Sequence, residues 1–529
     1  MKRRLIILLA VAIPVVATLA PVAADATSRG GAPTCATVPV TAPSGTRVES
    51  VTAVANAGGT VSFPAPPVPG GAPIDNVPAW CDITVVVTHT GANDHVTIKV
   101  SLPQDPRNWS GRFQATGGSA YLAGDFTYPL VAAVKAGYVA AATDAGVGQN
   151  PVDVSGWALT STGQVNGPLL ENFASRSLHD MAVVGKDVAR RFYGRAVSYA
   201  YWNGCSTGGR QGYQEAQDHP DDFQGILAKA PAINWDRFAV ASLWSQAVFN
   251  EEKVAPTSCE LEAFTAGAIQ ACDTLDGVRD GVIDNPADCR WDPRALVGTK
   301  VVCQGQEITV SAATADAIRK VWAGPVSTSG EQLWYGPNKG ATLAPLATPG
   351  TPFFVGETWV RYFVQRDPAF DVTKLTYRTF EQLFRASHQK FADVIGADDP
   401  NLARFARAGG KLLSWHGQTD ELVPTQGTVD YRRRVERAFG GARKVDDFYR
   451  LFLLPGVNHC VPGGAGPFPT DDLGALVDWV EKGKAPATLR ASVTGTDGRT
   501  VTRDVCRYPK VARYTGHGDP ASAANFRCA

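Results

Sequence analysis

One G-x-S-x-G segment constrains the fold of this 529-residue chain more than any other feature. The segment GCSTG at 204–208 follows residues 197–202, which have the pattern of a buried strand, and a helical pattern begins near Arg210. A sharp strand-to-helix turn of this kind exposes a serine hydroxyl to a base, and its glycines allow close backbone contacts. The segment therefore predicts Ser206 as a nucleophile, the alternative being a chance Gly/Ser turn.

Strand and helix patterns alternate on both sides of this turn. Residues 83–89 and 96–102 alternate as half-buried antiparallel strands do, after an irregular lead-in with short strands over 27–80. Buried-strand patterns follow at 112–116, 138–143, 225–230, 411–416 and 448–454. The pattern predicts an α/β fold with a doubly wound sheet.

The alternation stops once, between about residues 233 and 397. Only short helical patches remain there, such as 312–322. The segment is too long for a simple loop and large enough to be a domain. We therefore predict a sheet domain formed by 27–232 and 398–529 with an inserted domain at 233–397.

Charge and cysteine counts limit the classes of function. Because 50 Lys+Arg balance 50 Asp+Glu, the chain lacks the electrostatic footprint of nucleic-acid or anionic-membrane binding. Ten cysteines, an even number, fit five disulfides in an oxidising compartment. Basic residues 2–4, an apolar run over 5–20 and small residues to 26 are typical of a cleavable signal peptide, and Pro14 disfavours the alternative, a permanent anchor. We expect an exported protein whose mature form has no membrane span.

A base and an orienting acid are expected after the nucleophile, in the chain order Ser, acid, His. His416 and His459 both lie at predicted strand ends after Ser206. His416 precedes Asp420, which gives the wrong order, so His459 is the favoured base. Asp420 follows the strand that ends at His416, where the acid belongs, and Glu421 is its main competitor.

Backbone amides are the candidates for stabilising an oxyanion near this serine. The Thr207 amide opens the helix, and the second donor is expected after an earlier strand. Gly117 and Gly118 end the predicted strand 112–116, and Gly118 is preferred. An ordinary Gly-Gly turn is the alternative.

Cys205 precedes the proposed nucleophile and Cys460 follows the proposed base. If Ser206 and His459 lie within hydrogen-bond reach, these two cysteines are close enough for a disulfide. The alternative is that each cysteine pairs elsewhere or stays a buried thiol.

A short Asp-rich stretch, bent by glycines, lies inside the insertion. Its carboxylates repel one another unless a cation neutralises them, and oxygen-rich loops of this kind suit Ca²⁺, although the spacing is not that of an EF-hand. Two Asp-Gly turns on a solvated surface are the alternative. The predicted ligands are the carboxylates of Asp273, Asp276 and Asp280 and the carbonyls of Val278 and Val282.

Together these motifs resemble the tannase/feruloyl esterase family, which includes tannases, feruloyl esterases and mono(2-hydroxyethyl) terephthalate hydrolases. The matching segments are GCSTGGRQG at 204–212, HG at 416–417 with Asp420, and PGVNHC at 455–460. The resemblance extends from about Cys35 to Cys528. It implies an α/β-hydrolase fold whose insertion is a lid with a structural calcium, and a triad of Ser206, Asp420 and His459.

The resemblance also implies how the cysteines pair. The implied pairs are Cys205–Cys460, Cys272–Cys289 around the calcium loop, Cys35–Cys81 and Cys506–Cys528, which leaves Cys259 and Cys303 for each other. A stretch at 359–368 also resembles the family's lid. Arg361 in that stretch either binds a substrate carboxylate or forms a structural ion pair, and the ion pair is favoured.

The family resemblance implies a secreted serine ester hydrolase. Its substrates would be esters of small aromatic acids, feruloyl, galloyl or similar, free or attached to a polysaccharide or polyphenol, cleaved through an acyl-enzyme. Two alternatives stay open: a secreted acyltransferase or peptidase on the same scaffold, and a binding protein without catalysis. The sequence does not fix which acid is preferred.

Overall fold

A computed structural model describes residues 34–63 and 72–529 of the chain. The strands of the main sheet are β1 (Thr46–Asn56), β2 (Trp80–His89), β3 (Val96–Pro103), β4 (Arg112–Thr116), β5 (Val139–Thr143), β6 (Tyr199–Cys205), β7 (Gly225–Lys229), β8 (Lys411–Gly417) and β9 (Tyr449–Leu454). Within the described ranges these nine strands form one sheet in the spatial order β1-β2-β3-β5-β4-β6-β7-β8-β9. The pairs from β1 to β5 are antiparallel, and those from β5 to β9 are parallel. This is the predicted α/β-hydrolase sheet.

Helices cover the sheet and build the insertion. The α-helices of seven or more residues are α1 (Tyr128–Lys135), α2 (Ser177–Tyr193), α3 (Thr207–Asp218), α4 (Trp235–Ala241), α5 (Trp244–Glu252), α6 (Ser258–Cys272), α7 (Ala312–Ala323), α8 (Tyr377–Ile395), α9 (Thr425–Phe439) and α10 (Asp472–Lys482). Shorter helical turns occur at Gly167–Glu171, Ala344–Ala347, Phe354–Thr358, Ala403–Arg407 and Ala442–Val445. π-Helical turns occur at Asn172–Arg176 and Trp359–Gln365.

Small sheets complete the fold away from the main one. They pair Gly59–Val61 with Ile74–Val77, Lys300–Cys303 with Gln306–Thr309, Ala512–Tyr514 with Phe526–Cys528, and join Phe468–Pro469, Thr488–Thr494 and Thr500–Cys506. The sequence patterns did not predict the three-stranded sheet near the C-terminus. They also predicted only short strands in the lead-in, which is wrong because β1 is an 11-residue strand paired along its length with β2.

The break in the alternation of strands and helices is visible in the order of the main sheet. β7 and β8 are parallel neighbours, yet residues 230–410 separate them, and in the described chain none of that segment joins the main sheet. The expectation of short helical patches there is wrong, because α6 and α8 have 15 and 19 residues. α8 forms because Phe380, Leu383, Phe384 and Phe391 recur on one buried face at helical spacing. The exact bounds 233–397 stay a prediction.

The predicted disulfides are all present, at Cys35–Cys81, Cys205–Cys460, Cys259–Cys303, Cys272–Cys289 and Cys506–Cys528. The predicted signal peptide, 1–26, lies outside the described residues. Within the part of the chain that is described, no helix is both long enough and apolar enough to span a bilayer.

Candidate active site

Ser206 lies in the turn between β6 and α3 with φ 62° and ψ −121°, a backbone conformation that is rare for a residue with a side chain. Three hydrogen bonds hold it there. Its amide donates to the carbonyl of Lys229 at 3.0 Å, and its carbonyl accepts from the amides of Arg210 and Ala232 at 2.9 and 3.1 Å. The strained turn is therefore fixed by the adjacent strand end and by its own helix.

Glycines allow the turn to pack against the end of β4. A Cβ atom at Gly204 would lie 2.4 Å from the carbonyl oxygen of Gly208, and one at Gly117 would lie 2.4 Å from the Gly208 Cα. Non-bonded atoms cannot lie this close to each other, so both positions require glycine. This close approach brings the segment after β4 beside Ser206.

Asp420 and His459, the predicted acid and base, are in direct contact. Asp420 Oδ2 lies 2.7 Å from His459 Nδ1, and Oδ1 accepts from the amides of Leu422 and Val423 at 2.9 and 2.8 Å. Burial alone would raise the pKa of Asp420, but the positive charge of His459 and the hydrogen bonds hold that pKa well below its usual range. Burial likewise opposes ionisation of His459, yet the charge and hydrogen bond of Asp420 raise the pKa of His459 above its ordinary value.

Glu421, the competing acid, contacts the histidine differently. Its Oε2 accepts a hydrogen bond from the backbone amide of His459 at 3.1 Å, whereas Asp420 contacts the imidazole ring. Glu421 therefore positions the His459 backbone, and its charge contributes to the raised pKa of His459.

His416, the competing base, lies behind the carboxylate. It is fully buried, with Nε2 3.0 Å from Asp420 Oδ2 and Nδ1 2.8 Å from Thr428 Oγ1. The sequence pattern missed this contact, although the i, i+4 spacing of His416 and Asp420 across a tight turn was a signal for it.

The disulfide Cys205–Cys460 joins the serine turn to the histidine loop, with its Cα atoms 5.9 Å apart. Because each cysteine is the chain neighbour of Ser206 or His459, the bridge keeps those two residues near each other. Among the described residues, Ser206 Oγ has no hydrogen bond to His459. The structure thus brings Asp420 and His459 into direct contact and tethers Ser206 beside them.

The amides near Ser206 correct one prediction. Gly118 donates its amide to Gln211 Oε1 at 3.0 Å, so the prediction that Gly118 stabilises an oxyanion is wrong: a side chain of α3 already uses that donor. The amides of Thr207 and Ala120 have no acceptor within the described chain. Thr207 Oγ1 also donates to the Ala120 carbonyl at 2.6 Å, which fixes the two residues together.

The Asp-rich stretch folds into a loop whose carboxylates are oriented by backbone amides. Asp273 Oδ1 accepts from the amides of Asp280 and Gly281, both at 3.0 Å, and Asp276 Oδ1 accepts from Val278 at 2.9 Å. Asp276 Oδ2 is buried without a partner, and the carbonyls of Val278 and Val282 accept no hydrogen bond from described residues.

Burial and mutual repulsion disfavour negative charge in this loop. They raise the pKa of Asp276 and Asp280, and they raise the pKa of Asp284, which is not among the predicted ligands, to about 8. A cation would relieve this, so the residues fit one. Arg503 already supplies one positive charge, 3.1 Å from Asp280 Oδ2. In the described chain the three carboxylates do not bring one oxygen each within 4.8 Å of one another. An ion bound here would therefore have to draw them closer together.

Arg361 forms the structural ion pair that was favoured. Its Nη1 lies 2.8 Å from Glu357 Oε1, one helical turn away, and its Nε donates to the Phe370 carbonyl at 2.9 Å. The side chain is therefore occupied within the insertion.

Fold and site together define the class of this protein, an α/β-hydrolase with a serine in a strained strand-to-helix turn and an Asp–His pair beside it. Comparison with known proteins gives the family. Residues 81–529 match the family model described as "Tannase and feruloyl esterase". The chain therefore belongs to the tannase and feruloyl esterase family and is a carboxylic ester hydrolase.

Relatives and solved structures agree with this membership. A "Probable feruloyl esterase" from Arthroderma benhamiae is 45% identical over 506 residues, which cover 94% of this chain and 93% of the relative. The solved structure of tannin acyl hydrolase from Aspergillus niger is similar with a TM-score of 0.81 and 25% identity, covering 92% of each chain. The crystal structure of feruloyl esterase B from Aspergillus oryzae is similar with a TM-score of 0.79 and 28% identity, covering 92% of this chain and 97% of the other.

Proposed function

We propose that the chain hydrolyses esters of small aromatic acids through an acyl-enzyme formed on Ser206. The observation that carries this is the Asp420–His459 contact of 2.7 Å, tethered to the Ser206 turn by the disulfide Cys205–Cys460. A hydroxyl in a strained turn, a histidine and an orienting carboxylate are the three groups that acyl transfer requires.

The proposed reaction uses these groups in sequence. Asp420 holds Nδ1 of His459 protonated, which leaves Nε2 free to take the Ser206 proton as Oγ attacks the ester carbonyl. The tetrahedral oxyanion would meet the amides of Thr207 and Ala120, which have no other acceptor in the described chain. His459 then returns the proton to the leaving alcohol, and water attacks the acyl-enzyme with His459 again as base.

The test compares Ser206→Ala with the control variant Ser155→Ala, which changes an exposed serine outside the turn that holds Ser206. Ser206→Ala should lower kcat on an aryl ester by about four orders of magnitude or more while leaving the circular dichroism spectrum unchanged. A fluorophosphonate should label the wild type and Ser155→Ala but not Ser206→Ala. Labelling that persists in Ser206→Ala contradicts the assignment of Ser206 as the nucleophile. A wild type that neither reacts with the fluorophosphonate nor hydrolyses the ester would indicate the alternative, a binding protein without catalysis.

The aromatic acyl group is proposed from the names of the relatives, which are feruloyl esterases and a tannin acyl hydrolase. Values of kcat/KM for methyl ferulate and methyl gallate should exceed that for an aliphatic methyl ester by at least about tenfold, which corresponds to 1.4 kcal/mol of transition-state binding. Faster cleavage of the matching amide, or preferential transfer to an added alcohol, would indicate the peptidase or acyltransferase alternative.

We also propose that the Asp273–Val282 loop binds a structural Ca²⁺. The ligands would be the carboxylates of Asp273, Asp276 and Asp280 and the free carbonyls of Val278 and Val282. The support is the buried, unpartnered Asp276 Oδ2 and the repulsion among these carboxylates. Ca²⁺ would supply charge neutralisation and no catalytic step.

Calcium binding is tested by thermal unfolding in EGTA and in excess Ca²⁺. The wild type should melt at a higher temperature with Ca²⁺, and Asp276→Asn should lose most of that difference, whereas Asp153→Asn on an exposed loop should keep it. Equal melting temperatures of the wild type in both buffers contradict the proposal.

Export through a cleaved signal at 1–26 is proposed as well. The five disulfides require an oxidising compartment to form and persist. Residues 1–26 fused to a reporter should direct its secretion with cleavage near residue 26. Retention of the uncleaved fusion inside the cell contradicts this.

A further inference from the structure

Two histidines and an aspartate lie together at the far end of the helix that begins after Ser206. His179 belongs to α2, and His219 and Asp222 follow the last turn of α3. One ligand atom from each of these three side chains lies within 4.8 Å of the other two. His179 Nδ1 is 2.6 Å from Asp222 Oδ2, and the two imidazole rings stack with their centres 4.3 Å apart. The ester chemistry proposed above uses none of these groups.

We propose that this cluster binds a divalent transition-metal ion of the Zn²⁺ type. Two imidazole nitrogens and one carboxylate oxygen match the ligands that Zn²⁺ prefers, whereas Ca²⁺ and Mg²⁺ prefer oxygen alone. His179 is 39% exposed at its side chain, so water can complete the coordination. The ion would replace the proton between His179 and Asp222.

The ligand atoms need only a small adjustment to accept an ion. In a tetrahedral site with bonds of about 2.0–2.1 Å, neighbouring ligand atoms are about 3.3 Å apart. The 2.6 Å contact between His179 and Asp222 must therefore open by a fraction of an ångström, and the stacked rings must rotate about their Cβ–Cγ bonds. His179 and His219 are both partly exposed, which leaves room for that rotation.

A buried acid on the same helix has two carboxylate oxygens without a partner among the described residues. Glu215 lies one turn before His219, is fully buried, and neither of its carboxylate oxygens has a partner in the described part of the chain. Burial first, and then the negative charge of Asp222, raise the pKa of Glu215 well above its ordinary value. A dication at Asp222 would offset this repulsion.

Lys186 is the group that opposes metal binding. Its Nζ lies 3.1 Å from Asp222 Oδ1 and 2.8 Å from the Asp222 carbonyl. The ammonium occupies one oxygen of the carboxylate and leaves Oδ2, the oxygen facing His179, for the ion. Removing this positive charge should therefore tighten binding.

An ion here would connect α2 to the C-terminal end of α3. Ser206 is at the other end of α3, about 18 Å away along the helix axis at 1.5 Å per residue. The metal would therefore stabilise the helix pair without touching the ester.

The experiment titrates the full-length mature protein with ZnCl₂ by calorimetry at pH 7.5, in excess Ca²⁺ so that the Asp-rich loop is saturated. The wild type should bind about one equivalent of Zn²⁺, and MgCl₂ should give no saturable heat. His179→Ala and His219→Ala should each weaken binding by at least about tenfold. His95→Ala is the matched control, because His95 is also paired with a carboxylate, Glu49 at 2.6 Å, but has no third ligand.

Two further measurements use other readouts. Lys186→Gln should bind Zn²⁺ several-fold more tightly than the wild type. Zn²⁺ should raise the melting temperature of the wild type and of His95→Ala but not of His179→Ala, whose circular dichroism spectrum shows whether it is folded. No saturable Zn²⁺ binding by the wild type, or wild-type affinity in both histidine variants, overturns the proposal.

Discussion

His416 Nε2 lies 3.0 Å from Asp420 Oδ2, the same oxygen that accepts from His459 Nδ1. Its other nitrogen, Nδ1, is 2.8 Å from Thr428 Oγ1. The simplest arrangement has Thr428 donating to Nδ1 and Nε2–H donating to Asp420, with the Val423 carbonyl as a second acceptor 3.1 Å from Nε2. His416 is therefore a positioning residue that holds the carboxylate from behind.

Replacing this donor should weaken catalysis moderately. His416→Ala should lower kcat by about tenfold with little change in KM, because one hydrogen bond to a buried charge is lost and the carboxylate is held less firmly. Asp420 Oδ2 then accepts a hydrogen bond from His459 alone, which raises the pKa of His459 further. The acid limb of the pH–kcat/KM profile should therefore move to higher pH. Thr428→Val removes only the contact to His416 Nδ1, so it should lower kcat and shift the acid limb in the same directions but by smaller amounts. A loss as large as that of Ser206→Ala, or an unmoved acid limb, contradicts this role.

The pH dependence separates the two acids near His459. A base acts when neutral, so kcat/KM should fall as the pH drops through the His459 pKa, which lies above 6.5 because Asp420 and Glu421 raise it. Glu421→Gln removes one of these charges, so its acid limb should move to lower pH with a rate loss under about tenfold. Asp420→Asn should also move the limb down, and should lower kcat by about 10⁴ because the ring loses its orienting partner.

The measurement is a series of kcat/KM values from pH 5 to 9 for the wild type and both variants. If Glu421→Gln loses as much activity as Asp420→Asn, then Glu421 rather than Asp420 is the orienting acid. A wild-type limb below pH 6.5 would show that the His459 pKa is not raised in solution.

Removing the disulfide Cys205–Cys460 should lower activity more than removing a disulfide far from Ser206 and His459. Replacing both cysteines by serine should cost about 2–5 kcal/mol of unfolding free energy and should lower kcat by tenfold or more at temperatures where the variant is folded. Cys506–Cys528, whose cysteines are 22 residues apart, is the control. Its double serine variant should lose stability but keep kcat. Equal kcat in the two variants at full folding would show that the first bridge does not position Ser206 and His459.

Local patterns were sufficient to predict the turn at Ser206 and the order of Asp420 and His459, because a strand-to-helix turn and strand ends leave short-range signals. They were not sufficient for Gly118. The direction of its amide is decided by Gln211, which reaches it from α3, 93 residues later in the chain. A tertiary contact of that separation has no local signature.

The same reason explains the other misses. The sequence predicts only an irregular lead-in with short strands where β1 lies, because the residues of β1 are only half-buried and its partner β2 lies beyond a loop. α8 was missed although it starts with a capping box at Thr376 and Thr379, a signal that is local and available in the sequence. The sequence predicts the interruption between β7 and β8 because both of these strands have clear patterns on either side of it.

The last prediction concerns stability rather than catalysis. His89 is buried between two carboxylates, with Nδ1 2.7 Å from Asp94 Oδ2 and Nε2 2.9 Å from Asp180 Oδ2. Both nitrogens face acceptors, so the protonated ring fits best, and the hydrogen bonds of Asp180 and Asp94 outweigh burial and raise the pKa of His89. A raised pKa in the folded state stabilises the fold fully below the unfolded value of about 6.5 and less as the pH rises through the folded value.

His89→Gln should therefore destabilise the protein more at pH 5.5 than at pH 8.5. Urea unfolding should give a loss of about 1–3 kcal/mol at the lower pH, the usual range for a lost charged hydrogen bond, and a smaller loss at the higher pH. His95→Gln, which alters an exposed pair with Glu49, should change stability little at either pH. A larger loss for His89→Gln at pH 8.5 than at pH 5.5 would mean that the neutral ring is the form the fold prefers.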